Sequence, residues 1–223
     1  MCTEPVILHG TDDWLVVDKP AGWHTTAGRG ETDVRDLESW LRAHVGTSVD
    51  LHEAGLVHRL DQFTGGCVLV ATNEEARLIL REAMSGRGDV AAAIRKVYLA
   101  EVSGDIGRHG RFEYSFASRY KRSKKVTVSH SGPAKTIGCC QWRNARDGLI
   151  EIELVGPGRR HQIRAGLASL GHPLVGDDLY GGPDADSGLR LHAWRLYVGE
   201  DMVESPRPDW AVTARRWRRA WRS

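Results

Sequence analysis

The chain has 223 residues, 41% hydrophobic and 27% charged, an ordinary composition for a globular protein with one large domain or two small lobes. No run approaches the roughly 18 apolar residues that cross a bilayer, and Met1 to Gly10 lacks a secretory leader, so a cytoplasmic protein without a membrane partner is expected. The net charge of +2 is too small to imply a nucleic-acid partner by itself, and the four cysteines and ten histidines show neither Cys-x-x-Cys nor His-Glu-x-x-His spacing, so no metal site is expected.

In chain order, Trp14 to Lys19 reads as a short strand stopped by Pro20, with Gly22 making the turn. Val34, Leu37, Leu41 and Val45 recur at helical spacing, which predicts a helix over 34–45. Cys67 to Thr72 is a strand, and Asn73 is placed to cap a helix over Glu74 to Met84 with acidic residues in its first turn. Val97 to Val102 is a further strand. Phe112 to Cys140 reads as hairpins, and the alternation Ile150, Ile152, Leu154 marks a half-buried strand. Gly156-Pro157-Gly158 breaks it; a helix over 160–170 follows, ended by Gly171, and Leu191 to Val198 is the last strand. The irregular alternation of strands and helices, with short turns between neighbouring strands, predicts an α+β fold with a mixed, mostly antiparallel central sheet.

Charge is concentrated locally. Arg119, Lys121, Arg122, Lys124 and Lys125 surround Tyr120, and Arg215, Arg216, Arg218, Arg219 and Arg222 crowd the end of the chain. Such stripes match the footprint of a phosphate backbone, although a solvated charged face has the same composition. Over 209–222 the spacing of Trp210, Ala214, Trp217 and Trp221 predicts a basic, Trp-rich helix that packs its tryptophans inward.

Three segments carry the chemistry. The first is Gly55-Leu56-Val57-His58-Arg59-Leu60-Asp61-Gln62-Phe63-Thr64-Gly65-Gly66, followed by the apolar run from Cys67. The second is Arg95-Lys96-Val97-Tyr98. The third is Gly158-Arg159-Arg160-His161-Gln162-Ile163-Arg164, then Gly171-His172-Pro173-Leu174-Val175-Gly176-Asp177 and Tyr180-Gly181. In order and approximate spacing these resemble the motifs of the RluA-type pseudouridine synthases, with Asp18-Lys19-Pro20-Ala21-Gly22 and Leu191-His192-Ala193 fitting signatures near the ends. Two departures stand out: Gly65 replaces a usual Ser, and Gly166 replaces a common His.

The resemblance implies one pseudouridine synthase catalytic domain over 1–223, with helices flanking the sheet and an active-site cleft across it. It further implies a compact member lacking an N-terminal S4 RNA-binding domain, expected to be monomeric, to act on structured rRNA or tRNA rather than DNA, and to need no cofactor. Asp61 corresponds to the catalytic carboxylate, Arg164 to the arginine that keeps it ionised, and Tyr98 to the tyrosine that stacks on the uracil. Arg59 corresponds to the residue that fills the space left by a flipped base. His58, His161 and Gln162 are expected to organise the site by hydrogen bonding, at the RNA-binding surface. Lys19, Lys96 and the basic stretch containing Arg119, Lys121 and Arg122 are phosphate-contact candidates. The alternatives are a catalytically idle RNA-binding module on the same fold and a glycosidase-like hydrolase, which would need two carboxylates flanking the bond.

Overall fold

A computed structural model describes residues 4–27, 35–46, 50–86, 94–118, 120, 123–146, 148–186 and 188–212. Arg119, Lys121, Arg122 and residues 213–223 lie outside the described residues, and with them most of the basic stretch and of the C-terminal Trp-rich helix. The chain divides into two compact units, Met1–Lys96 with Ala193–Ser205, and Val97–His192 with Pro206–Ser223. The expected α+β class holds: the described ladders are antiparallel, and the one parallel pairing among the described bridges is the isolated His24–Asp36.

In the first unit, β1 (Val6–Gly10), β2 (Trp14–Lys19) and β3 (Gly65–Ala71) pair in sequence, and β9 (Leu191–Val198) and β10 (Asp201–Glu204) form a hairpin. Every residue of β3 is buried, which explains its unbroken apolar run. Helix α2 (Glu74–Met84) lays Ala76, Leu80, Ala83 and Met84 into a core shared with Trp14, Val16, Leu69, Leu196 and Val203. Asn73 caps it as expected, its side chain accepting from the Ala76 N–H. Helix α1 (Leu37–His44) starts later than the 34–45 periodicity predicts. Asp36 holds extended backbone and accepts from the Ser39 N–H, so the cap rather than the apolar spacing sets the start.

In the second unit, β4 (Ile94–Glu101), whose first three residues belong to the other unit, is followed by β5 (His109–Ala117), β6 (Thr127–Ser129), β7 (Ile137–Arg146) and β8 (Leu149–Val155). Their order is β4-β8-β7-β5-β6. Helix α3 (Gln162–Ser169) follows the Gly156–Gly158 break and buries Ile163, Ala165 and Leu167. Its Gly166 has a definite reason: a Cβ there would overlap the Phe112 ring of β5. Asp209–Val212 form the described part of the last helix, α4.

Candidate active site

Asp61 opens a turn closed by the Thr64 N–H donating to the Asp61 carbonyl at 3.0 Å. The residues beside it are fixed from the loop that follows β2. The Thr25 hydroxyl, itself buried, donates to the Leu60 carbonyl at 2.8 Å and accepts from the Leu60 N–H at 3.1 Å. The Gln62 carbonyl accepts from the Gly22 N–H at 2.9 Å and from Lys19 Nζ at 3.1 Å. The backbone on each side of Asp61 is therefore tied to a strand end, while Asp61 keeps partial exposure and Arg59 faces solvent.

Lys19 does not lie where a phosphate contact requires. Its relative exposure is 0%, and Nζ also donates to the carbonyls of Trp23 at 2.7 Å and Pro20 at 3.1 Å. Three carbonyls match the three donors of an ammonium. Burial draws its pKa down to about 7 against the opposing pull of the Asp61 and Asp18 carboxylates. The phosphate expectation for Lys19 is corrected to that of a strut beneath the Asp61 turn. Lys96 is likewise buried, because it occupies an inward position of β4.

His58 Nε2 accepts from the Leu69 N–H at 2.9 Å, which fixes the neutral ring against β3. Enclosure of the ring, reinforced by the nearby Lys96 charge, lowers its pKa to about 3. The bond ties the segment just before Asp61 to β3. Gly66 adds a close approach: its φ is +110°, and a Cβ would run into the Ala193 backbone. Gly66 is thus a glycine that this segment cannot exchange.

The second unit carries its own cluster. Arg164 of α3 makes a bidentate pair with Asp177, Nε to Oδ2 and Nη2 to Oδ1, both at 2.8 Å, with the Asp177 side chain fully buried. The Arg164 guanidinium also lies over the Tyr180 ring, 5.4 Å from its centroid. The Tyr180 hydroxyl meets His161 Nδ1 at 2.8 Å and accepts from the Val126 N–H at 2.9 Å. Burial, the largest influence, raises the Tyr180 pKa, opposed by that N–H and by Arg164. Arg160 donates to the carbonyls of Ser123 and Lys124, both at 2.8 Å, so the end of the basic stretch is pinned to the entry of α3.

His161 holds a left-handed backbone, φ 52°, just before α3. Gln162 is 2% exposed; its amide accepts from the Arg159 N–H at 2.8 Å and donates to the Cys139 carbonyl at 2.9 Å. These two bonds shape the helix entry. Tyr98 is a buried residue of β4. Thr25 and Tyr180 were not singled out for roles by sequence reasoning. Tyr180 had a signal in the Gly-Asp-x-x-Tyr spacing; Thr25 had none, since its partner is 35 residues away. Among the described residues, no three His, Cys, Asp or Glu side chains gather in a way that could hold a metal ion, and no helix is long and apolar enough to cross a membrane.

Comparison with known proteins adds three results. The family model described as RNA pseudouridylate synthase matches residues 13–169. The chain is 33% identical over 220 residues to the ribosomal large subunit pseudouridine synthase D of Nitrosomonas europaea, and 32% identical over 177 residues to the protein of that name from Yersinia pestis. These alignments take in 91% and 79% of the chain but only 62% and 52% of the relatives' lengths. Among solved structures, human RNA pseudouridylate synthase domain containing 4 superposes with a TM-score of 0.70 at 19% identity, covering 92% of this chain and 89% of that one, a likeness of fold.

Proposed function

Since the chain belongs to the RNA pseudouridylate synthase family, we propose that it isomerises uridine to pseudouridine in RNA with Asp61 as the catalytic carboxylate. The reaction breaks the N1–C1′ bond, turns the uracil and joins C5 to C1′. The C5 proton leaves and N1 gains one, so the base is rearranged without net oxidation or hydrolysis. An ionised Asp61 serves this chemistry by attacking C1′ or by removing a ribose proton. The setting of Asp61 carries the reading: its neighbours Leu60 and Gln62 are held by Thr25, Gly22 and Lys19, which presents the carboxylate on a fixed backbone.

In this reading Tyr98 stacks on the uracil, and Arg164 keeps the reacting carboxylate ionised, its guanidinium plane set by Asp177. Extruding a uridine costs a few kcal/mol, which contacts made in the open state must offset. The exposed Arg59 is proposed to fill the vacated space. Large-subunit ribosomal RNA is the proposed substrate class, because the relatives carry that designation in their names. The cytoplasm is the proposed place of action.

The test is tritium release from a large-subunit rRNA transcript labelled at uridine C5. Asp61→Asn is expected to reduce release by about 10²–10⁴-fold. Unchanged release from that variant would refute the assignment of Asp61. Free uracil as the product would instead favour hydrolysis, and activity confined to a tRNA transcript would replace the substrate class.

A further inference from the structure

We propose that Phe63 is a stacking platform for an RNA base adjacent to the target uridine, and hence a residue that helps hold the RNA open at the site. The inference rests on the reading of Asp61 given above and extends it to substrate binding.

The chain has three phenylalanines. Phe112 and Phe116 are 4% and 6% exposed, whereas Phe63 is 58% exposed. An exposed apolar side chain is unremarkable when it sits alone on a surface helix or strand. Phe63 instead occupies the turn from Asp61 to Thr64, where chain reversal favours Gly, Asn, Asp or Ser and where an aromatic ring does nothing for the turn. Its burial cannot be what retains it there.

The turn is also stiff. Leu60 is clasped by Thr25, the Gln62 carbonyl is held by Gly22 and Lys19, the Gln62 amide donates to the Gly22 carbonyl, and Thr64 is buried. The ring therefore projects from an ordered backbone, and a ligand that covers it need not first immobilise a loop. Leu60 and Thr64 point inward, Arg59 and Phe63 face solvent, and the carboxylate lies between them in sequence. A cation and an aromatic face on either side of a reacting group are what unstacked nucleotides bind, one attracting phosphate or bridging bases and the other receiving a base face. When a uridine leaves the stack, the neighbouring base loses a stacking partner, and Phe63 offers it another. The target uracil itself is assigned to Tyr98, which leaves the adjacent base for Phe63.

Equilibrium binding of a large-subunit rRNA transcript separates this role from turnover. It is measured by filter retention with Asp61→Asn protein carrying, in addition, Phe63→Ala, Phe63→Leu or Phe63→Trp. Loss of the ring in Phe63→Ala should weaken binding by about 5- to 150-fold. Phe63→Leu should recover little of it, because leucine is apolar but cannot stack, and Phe63→Trp should bind at least as tightly as phenylalanine. With Asp61 intact, Phe63→Ala should raise KM by a similar factor with little change in kcat. Wild-type binding by Phe63→Ala, or full recovery by Phe63→Leu, would overturn the inference. If tritium release is absent from every protein while Phe63→Ala still weakens binding, the proposed reaction fails and the role of Phe63 stands. If release proceeds with unaltered KM in Phe63→Ala, the reaction stands and the role of Phe63 falls.

Discussion

His58 shows how a titratable residue in a segment that resembles a family motif can serve the fold. Its neutral Nε2 accepts the Leu69 N–H, so adding a proton there removes the acceptor as well as placing a charge beside Lys96. The unfolded ring titrates near 6.5 and the folded one at about 3, so between these values only the unfolded chain takes up the proton. The contribution of His58 is complete above pH 6.5 and is lost as the pH falls towards 3. Urea unfolding at a series of pH values, compared with His58→Gln, checks this: the wild-type advantage should be constant above pH 6.5 and shrink progressively below it. Parallel curves would contradict the lowered pKa. None of this was legible in the tetrapeptide His58-Arg59-Leu60-Asp61, which announces chemistry but not the strand residue that its histidine holds. Lys19 is a similar case. Its type and its place in a motif suggested phosphate, but three carbonyls supplied partly from residue 62 absorb its donors. Side-chain roles that depend on distant backbone atoms leave no trace in spacing.

Among the elements, those governed by local rules were read closely. Asn73 and the helix behind it match to the residue, and so does the strand Trp14–Lys19 before Pro20, because cap and stop signals act within a few residues. Strands β1 and β10 were missed. The burial of β1 is almost uniformly low and β10 has four residues, so neither offers the alternation by which a half-buried strand is recognised. Helix α3 was found, but not the reason for its glycine. Phe112 cannot retreat from Gly166 freely: it stacks on Tyr114 with ring centroids 5.3 Å apart and sits 6.4 Å from both Trp142 and Phe116. Overpacking typically costs about 1–3 kcal/mol, which should outweigh the helix propensity of about 1 kcal/mol gained by alanine. Gly166→Ala is thus expected to lower the unfolding temperature, and Phe112→Leu in the same chain to restore part of the loss. Thermal melts that show Gly166→Ala unchanged or stabilised would contradict this packing.

For the molecule as a whole, two compact units are built from chain segments that interleave along the sequence. The Asp61 turn belongs to a unit that also needs Ala193–Ser205. There the Ala193 backbone crowds Gly66, the Cys67 thiol lies against the carbonyls of Trp194 and Val203, and the Ser205 hydroxyl donates to Asp18 at 2.8 Å. A fragment ending at Lys96 lacks all of these contacts. It is expected to show no cooperative melting transition, and to regain one when the returning segment is fused to it through a linker. A cooperative transition in the bare fragment would mean that the segment is dispensable.

That interleaving also orders events in time. The second stretch of the first unit leaves the ribosome only after residues 97–192 have been made, a delay of about 5–20 s at ordinary elongation rates. The unit begun first must therefore wait, through most of the second, for its own closing stretch. Until Ala193 emerges, the newborn turn that bears Asp61 lacks one of its walls, and the growing polypeptide can order that turn only after the intervening residues 97–192 have been made.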